Sequence, residues 1–246
     1  MNFIHINCDL GEGGGRDAQL MPLVSACNIA CGGHAGTLES MHDTVALAMK
    51  YNVEMGAHPS YPDKENFGRV SLEMEPEDLK QSLVAQILSL KQIAEAEGGF
   101  LTHVKPHGAL YNDAAKDEKT AQIIIDSVLE FEEKLPIYVP ENSVISRRAR
   151  GQIGVIFEAF GDRNYEDNYR LVSRSKPNAL ITGKEEVFEQ LYSMYFNKEI
   201  TCENGIKISC DAATFCLHSD TPNAVEILQY LTEKFHNKNI EIWKAP

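Results

Sequence analysis

A chain of 246 residues, 43% of them hydrophobic, has enough apolar material for one large α/β core or two small ones. The formal net charge of -13 repels phosphate backbones and anionic lipid, which argues against nucleic acid and membrane as partners. It leaves room for a small anionic substrate in a local cationic pocket.

In chain order, apolar or β-branched runs at residues 3–7, 54–58, 101–105, 137–139, 155–159 and 214–218 predict strands. Helical spacing falls between them. Val45, Ala48 and Met49 mark one helix, with Thr37 as its N-cap. Leu83, Ile87, Leu90 and Ala94 share a face of a second, opened by Pro76 and closed by Gly98. Ile124, Ile125, Val128 and Leu129 mark a third, and Val225, Leu228 and Phe235 a last one after Thr221-Pro222. This alternation predicts parallel strands with crossover helices, as a barrel or an open doubly wound sheet. No linker or internal repeat divides the chain, so a single domain over 1–246 is expected.

No apolar run approaches the roughly 20 residues of a bilayer span. The first eight residues lack a basic-then-apolar leader pattern, so a cytoplasmic location is expected. The six cysteines form no CxxC pair and are expected as free thiols; Cys27 and Cys31 have poor spacing for zinc.

Polar residues cluster where strands are predicted to end, the place where α/β barrels build their sites. In Asn7-Cys8-Asp9-Leu10-Gly11-Glu12-Gly13, strand alternation points Asn7 and Asp9 the same way, and Glu12 offers a second carboxylate for a metal or a proton transfer. Asn28-Ile29-Ala30-Cys31-Gly32-Gly33-His34-Ala35-Gly36 reads as a glycine-rich turn suited to an anion, with His34 either structural or functional. It has neither P-loop nor GxGxxG spacing. His58 closes a strand, and Arg69 beyond it could clamp a carboxylate or simply be a surface arginine. The strongest cluster is His103-Val104-Lys105-Pro106-His107-Gly108 with Tyr111-Asn112. Alternation sends His103 and Lys105 to one face, and an unpaired buried lysine is costly enough to favour a functional reading. Lys105 suits an electrostatic clamp and His107 an acid/base near neutral pH. Glu158, Asp162-Arg163, Tyr165, Arg174 and His218-Ser219-Asp220 are weaker signals, and no GxSxG elbow surrounds Ser219.

These segments, in this order, resemble the LamB/YcsF family, whose characterised members are the A subunit of bacterial 5-oxoprolinase. Gly56-Ala57-His58-Pro59, Phe67-Gly68-Arg69, Lys105-Pro106-His107-Gly108-Ala109-Leu110-Tyr111-Asn112 and Glu158-Ala159-Phe160 extend the match across most of the chain. The resemblance implies an irregular (β/α) barrel similar to the glycoside hydrolase/deacetylase barrel. It further implies ATP-dependent hydrolysis of a lactam, 5-oxoproline, to L-glutamate, with subunits B and C as partners and Mg²⁺ as the expected divalent metal. Lys105 then serves the phosphoryl group, and Asp9 with Glu12 the metal or attacking water. His58 and His107 manage protons, and Arg69 or Arg163 holds the substrate carboxylate. Asn7, Asn28, His34, Tyr111, Asn112 and Glu158 complete the substrate site. An alternative reading sets Asp9, His34 and His58 around a divalent metal for amide hydrolysis without ATP, and a third makes the chain a non-enzymatic regulatory component. The chain departs from the family pattern at Gly33, where an aromatic is usual, at Thr37, where an acid is, and at Ser173, where proline is. Ser60, Tyr169 and Ser219 replace glycines.

Overall fold

The apolar run near the N-terminus folds as two strands rather than one, β1 (Asn2–Ile4) and β2 (Ile6–Leu10). A computed structural model describes residues 2–245. After α1 (Asp17–Leu20) comes β3 (Ala26–Ala30), followed by α2 (Leu38–Tyr51), β4 (Glu54–His58), α3 (Pro76–Ala96) and β5 (Leu101–Val104). Next are α4 (Gly108–Ala114), α5 (Glu118–Leu129), β6 (Ile137–Pro140), α6 (Val144–Arg148), β7 (Val155–Phe160) and α7 (Lys184–Tyr192). The chain closes with β8 (Glu199–Thr201), β9 (Lys207–Ser209), β10 (Thr214–Cys216), α8 (Ala224–His236) and β11 (Ile240–Ile242).

Seven parallel strands close a barrel in the order β10-β2-β3-β4-β5-β6-β7, so the alternation resolves as a barrel and not as an open sheet. β1 pairs with β11 outside it, and β8 with β9 form a small antiparallel hairpin. The register sets Asp9 beside Asn28, Asn28 beside Gly56, and Gly56 beside His103. The strand at 26–30 is absent from the expected set because Asn28 interrupts its apolar pattern. Inside a closed barrel that asparagine faces the axis and finds partners there, so the strand is buried along its whole length. The run at 214–218 ends as a strand at Cys216, and the run at 101–105 ends at Val104, ahead of Pro106.

The apolar core lies outside the barrel, between strands and helices. Leu83, Ile87, Leu90 and Ala94 of α3, Val45 and Ala48 of α2, Ile124, Ile125 and Val128 of α5, and Leu228, Leu231 and Phe235 of α8 are all buried in it. Thr37 caps α2 as expected, its hydroxyl accepting from the Ser40 amide while Ser40 returns the bond. No helix among the described residues is long and apolar enough to cross a membrane.

Candidate active site

Barrel interiors are commonly filled by branched apolar side chains. This one holds a polar column. Asn7 donates to Thr214 Oγ1 at 2.8 Å, and the Asn28 amide donates to Asn7 Oδ1 at 2.8 Å and to Asp9 Oδ1 at 2.7 Å. Above them the Lys105 ammonium lies 2.9 Å from Asp9 Oδ1, 3.0 Å from Glu158 Oε1 and 3.1 Å from Cys216 Sγ. Asn7, Asp9, Asn28, Lys105 and Glu158 are all buried. Burial opposes the charge on Asp9, but His58 and then Lys105 outweigh it and hold this carboxyl well below its usual range. Burial likewise opposes the Lys105 charge, and Asp9, Cys216 and Glu158 together keep the ammonium charged well above its ordinary value.

Four side chains gather beside Asp9. The backbone places Lys105 and one of these four, His107: Lys105 N–H donates to Ala57 and His107 N–H to Pro59, continuing the strand pairing past β5. Gly108 then adopts a positive φ of 55°, and a Cβ there would lie 2.6 Å from the Gly68 carbonyl, so glycine lets the 67–69 loop close over the site. His58 Nδ1 bonds the Lys105 carbonyl at 2.7 Å, and His107 Nε2 bonds the Phe67 carbonyl at 3.0 Å. A carbonyl only accepts, so both of those nitrogens carry hydrogen. The other two, His58 Nε2 and His107 Nδ1, face each other at 3.0 Å. A proton on one of them or a cation between them reconciles two nitrogens so placed, and His58 Nε2 also lies 3.4 Å from Asp9 Oδ2 and 3.9 Å from Glu12 Oε1. Glu12 Oε1 lies 2.9 Å from His34 Nε2 and 3.5 Å from His107 Nδ1, and the His34 and His107 rings stack at 3.6 Å. Burial, reinforced by the Asp9 charge, raises Glu12 to about 7. Burial lowers His34 to about 4 and His107 well below its ordinary value. Two neighbouring carboxyl groups thus have opposite proton affinities, as expected of an acid/base pair.

Asp9, Glu12, His58, Lys105 and His107 open into a cavity of about 680 Å³, whose wall also holds Arg69, Tyr111, Asn112, Glu158, Arg163 and Asp220, whereas Asn7, Asn28 and His34 are not in that wall. Arg163 is buried, and among the described residues its guanidinium bonds only the carbonyls of Val172 and Ala179. Burial, and then repulsion from Arg174, lowers it to about 10, so it stays charged at neutral pH. Arg69 is exposed and already paired with Asp220, which lies 3.7 Å from Arg174 as well. Tyr111 is buried with an unpartnered hydroxyl, and neither Glu158 oxygen accepts a well-directed hydrogen bond, its tie to Lys105 being an ion pair. Asn112 is exposed at the rim. His218, only a weak signal in the sequence, is held by Asp162 at 2.9 Å, and that charge together with its hydrogen bonds overcomes burial and lowers Asp162 to about 2.

The metal-capable group differs from the expected Asp9-His34-His58 set. The four side chains whose ligand atoms all lie within 4.8 Å of one another are Glu12, His34, His58 and His107. Asp9 instead falls in a second group with Cys216 and His218, because Asn28 and Lys105 draw its Oδ1 toward the barrel axis. Three imidazoles and a carboxylate suit zinc-class ions rather than Mg²⁺, which prefers all-oxygen ligands. Cys27 and Cys31 are free, buried thiols outside either group. Cys216, which the sequence pointed to only as a free thiol, shares an inward-facing strand alternation with Thr214.

Two departures from the family pattern are neighbours in space. A Cβ on Gly33 would lie 2.3 Å from Ser60 Oγ and 2.4 Å from Gln86 Oε1, so the serine and glutamine fill the space a larger side chain at 33 would need. Tyr169 adopts a φ of 67°, in the left-handed region that favours glycine.

Relatives agree with this architecture. The chain is 37% identical to the 5-oxoprolinase A subunit of Haemophilus influenzae (strain PittEE), covering 98% of this chain and 99% of that one. It is 39% identical to the 5-oxoprolinase A subunit of Pyrococcus furiosus, covering 97% and 96%. The crystal structure of a lactam utilization protein from Thermus thermophilus superposes with a TM-score of 0.91 at 35% identity, over 98% of this chain and 99% of that one. The profile of the LamB/YcsF family matches residues 4–246, and with these full-length similarities the chain belongs to the LamB/YcsF family.

Proposed function

We propose that this chain is a hydrolase that opens the ring amide of 5-oxoproline to give L-glutamate, serving as the A subunit of an ATP-driven enzyme with subunits B and C. The names of its relatives support the substrate and the assembly. The observation that carries the reading is Arg163, a buried cation with no carboxylate partner among the described residues, in the same cavity as Asp9 and Glu12. A buried unpaired cation is costly unless an anion completes it, and the substrate carboxylate is such an anion.

Arg163 then fixes the carboxylate and sets the ring against the acid/base pair. Asp9 Oδ2, which lies 3.4 Å from His58 Nε2 while Oδ1 is held by Asn28 and Lys105, takes a proton from the attacking water. Glu12, protonated up to about pH 7, gives one to the ring nitrogen as the C–N bond breaks. The His58–His107 pair passes protons beside Glu12. Lys105 keeps Asp9 ionised: its ammonium already faces Asp9, Glu158 and Cys216, which leaves no free N–H for a phosphoryl oxygen. ATP supplies the driving force by phosphorylating the lactam oxygen with release of ADP; water attack and C–N cleavage then leave an acyl phosphate, which a second water hydrolyses to glutamate and phosphate. The test is 5-oxoproline-dependent release of ADP and glutamate, from this chain alone and with subunits B and C. Release from the reconstituted set alone is expected; no release with partners of verified activity overturns the reading.

The facing lone pairs of His58 and His107 favour a second reading, amide hydrolysis assisted by a divalent ion on Glu12, His34, His58 and His107. Such an ion polarises a carbonyl oxygen. Titration calorimetry with Zn²⁺ distinguishes the two: one tightly bound ion per chain, lost in His107→Ala, supports it, and no binding removes it.

A further inference from the structure

His103 is the one histidine of the 103–107 cluster outside the cavity wall, and the mechanism above gives it no part. It is nonetheless closely boxed. Its ring stacks on Tyr138 at 4.0 Å with planes 5° apart, and a Cβ on Gly56 would lie 2.1 Å from its Nε2. Glycine at 56 therefore makes room for this ring.

The hydrogen-bond chain from Asp9 has only one consistent polarity. Asp9 Oδ1 faces the Lys105 ammonium at 2.9 Å as the acceptor of that ion pair, so the Asn28 group 2.7 Å from it must be the amide nitrogen. That orientation turns Asn28 Oδ1 toward His103 Nε2 at 2.7 Å, which must then carry the hydrogen. Nδ1 is left as an acceptor for the Thr102 hydroxyl at 2.9 Å, a shorter contact than that hydroxyl's other acceptor, the Met55 carbonyl at 3.2 Å. Burial holds the ring neutral. Thr102, His103 and Asn28 thus form a column that commits Asp9 Oδ1 to the barrel and turns Oδ2 to the cavity.

Resting on the reading that Asp9 serves as the base, we propose that His103 is a positioning residue that orients Asp9 through Asn28 without touching the substrate. Two variants and two readouts test it. His103→Phe keeps a ring but cannot donate, and His103→Gln keeps a donor. In His103→Phe we expect kcat of the reconstituted enzyme to fall about tenfold with KM unchanged, the size typical of lost outer support to a reacting group. The Asp9 carboxyl-carbon and Asn28 side-chain amide signals, followed by NMR at one fixed pH, should move as the Asn28–Asp9 hydrogen bond loosens. His103→Gln should restore both. If His103→Phe does not fold, Thr102→Val removes the hydroxyl that supports the tautomer and should move the same signals by less. A loss of melting temperature with kcat and these signals unchanged overturns the proposal, as does an Nδ1–H tautomer in the ¹⁵N spectrum. Failure of lactam turnover in the unaltered enzyme would sink the functional reading instead, and the NMR signals would still decide this one.

Discussion

The Asp9 carboxylate and the Lys105 ammonium meet at 2.9 Å inside the barrel, both almost sealed from solvent. Removing the ammonium leaves Asp9 and Glu158 buried together, with His58 as the cationic partner still beside Asp9. Lys105→Met should cost about 3 kcal/mol or more in urea denaturation at pH 7, and abolish turnover. At a pH low enough to protonate Asp9 in the variant, much of that cost should disappear. A variant as stable as the parent at pH 7 would show that the pair contributes little.

Glu12 gives a pH dependence of the opposite sign to that of an ordinary paired carboxylate. Its folded-state value of about 7 lies above the usual 4.5, so between those pH values the folded chain holds a proton that the unfolded chain has released. Stability therefore falls as pH rises through this window. Glu12→Gln cannot ionise and should be about 2 kcal/mol more stable than the parent above pH 7, with the difference gone below pH 4. The same variant should lose lactam hydrolysis. Denaturation curves at several pH values check the first outcome and glutamate release the second.

Arg163 and Arg69 should behave differently, although both are arginines in the same cavity wall. Arg163→Met should raise KM for 5-oxoproline at least tenfold while sparing 2-pyrrolidone, which lacks the carboxylate. Arg69→Met removes a side chain already neutralised by Asp220 and should change KM little. The reverse ranking in steady-state kinetics would move the carboxylate anchor to Arg69.

Gly33 and Ser60 should be coupled. Gly33→Ala places a methyl group against Ser60 Oγ and Gln86 Oε1 and should cost about 1–3 kcal/mol in thermal or urea denaturation. Ser60→Gly should return part of that loss in the double variant. Simple additivity of the two effects would show that the sites are independent.

Much of this protein is legible in its sequence because local chemistry repeats with the period of the element that carries it. The strands at 54–58, 137–140 and 155–160, the cap at Thr37 and the buried stripe of α3 all follow from neighbours within a few residues. Alternation also placed His103 and Lys105 on one face. The strand at Ala26–Ala30 escaped that logic: Asn28 breaks the apolar pattern, and its partners lie 19 and 21 residues away on the neighbouring strand. Contacts of longer range decided the site. His34 and Glu12 are 22 residues apart, His107 and His58 are 49, and Lys105 and Cys216 are 111, so no local period brings them together. Closure of the barrel does so, because parallel strands carry every C-terminal end to one rim. The same closure set the charges. Composition names Asp9 and Glu12 as two acids, but only burial and their neighbours keep one ionised and the other proton-bound near neutral pH. It also neutralised Arg69 with Asp220 and left Arg163 without an acid partner among the described residues, a distinction that no property of an isolated arginine could make.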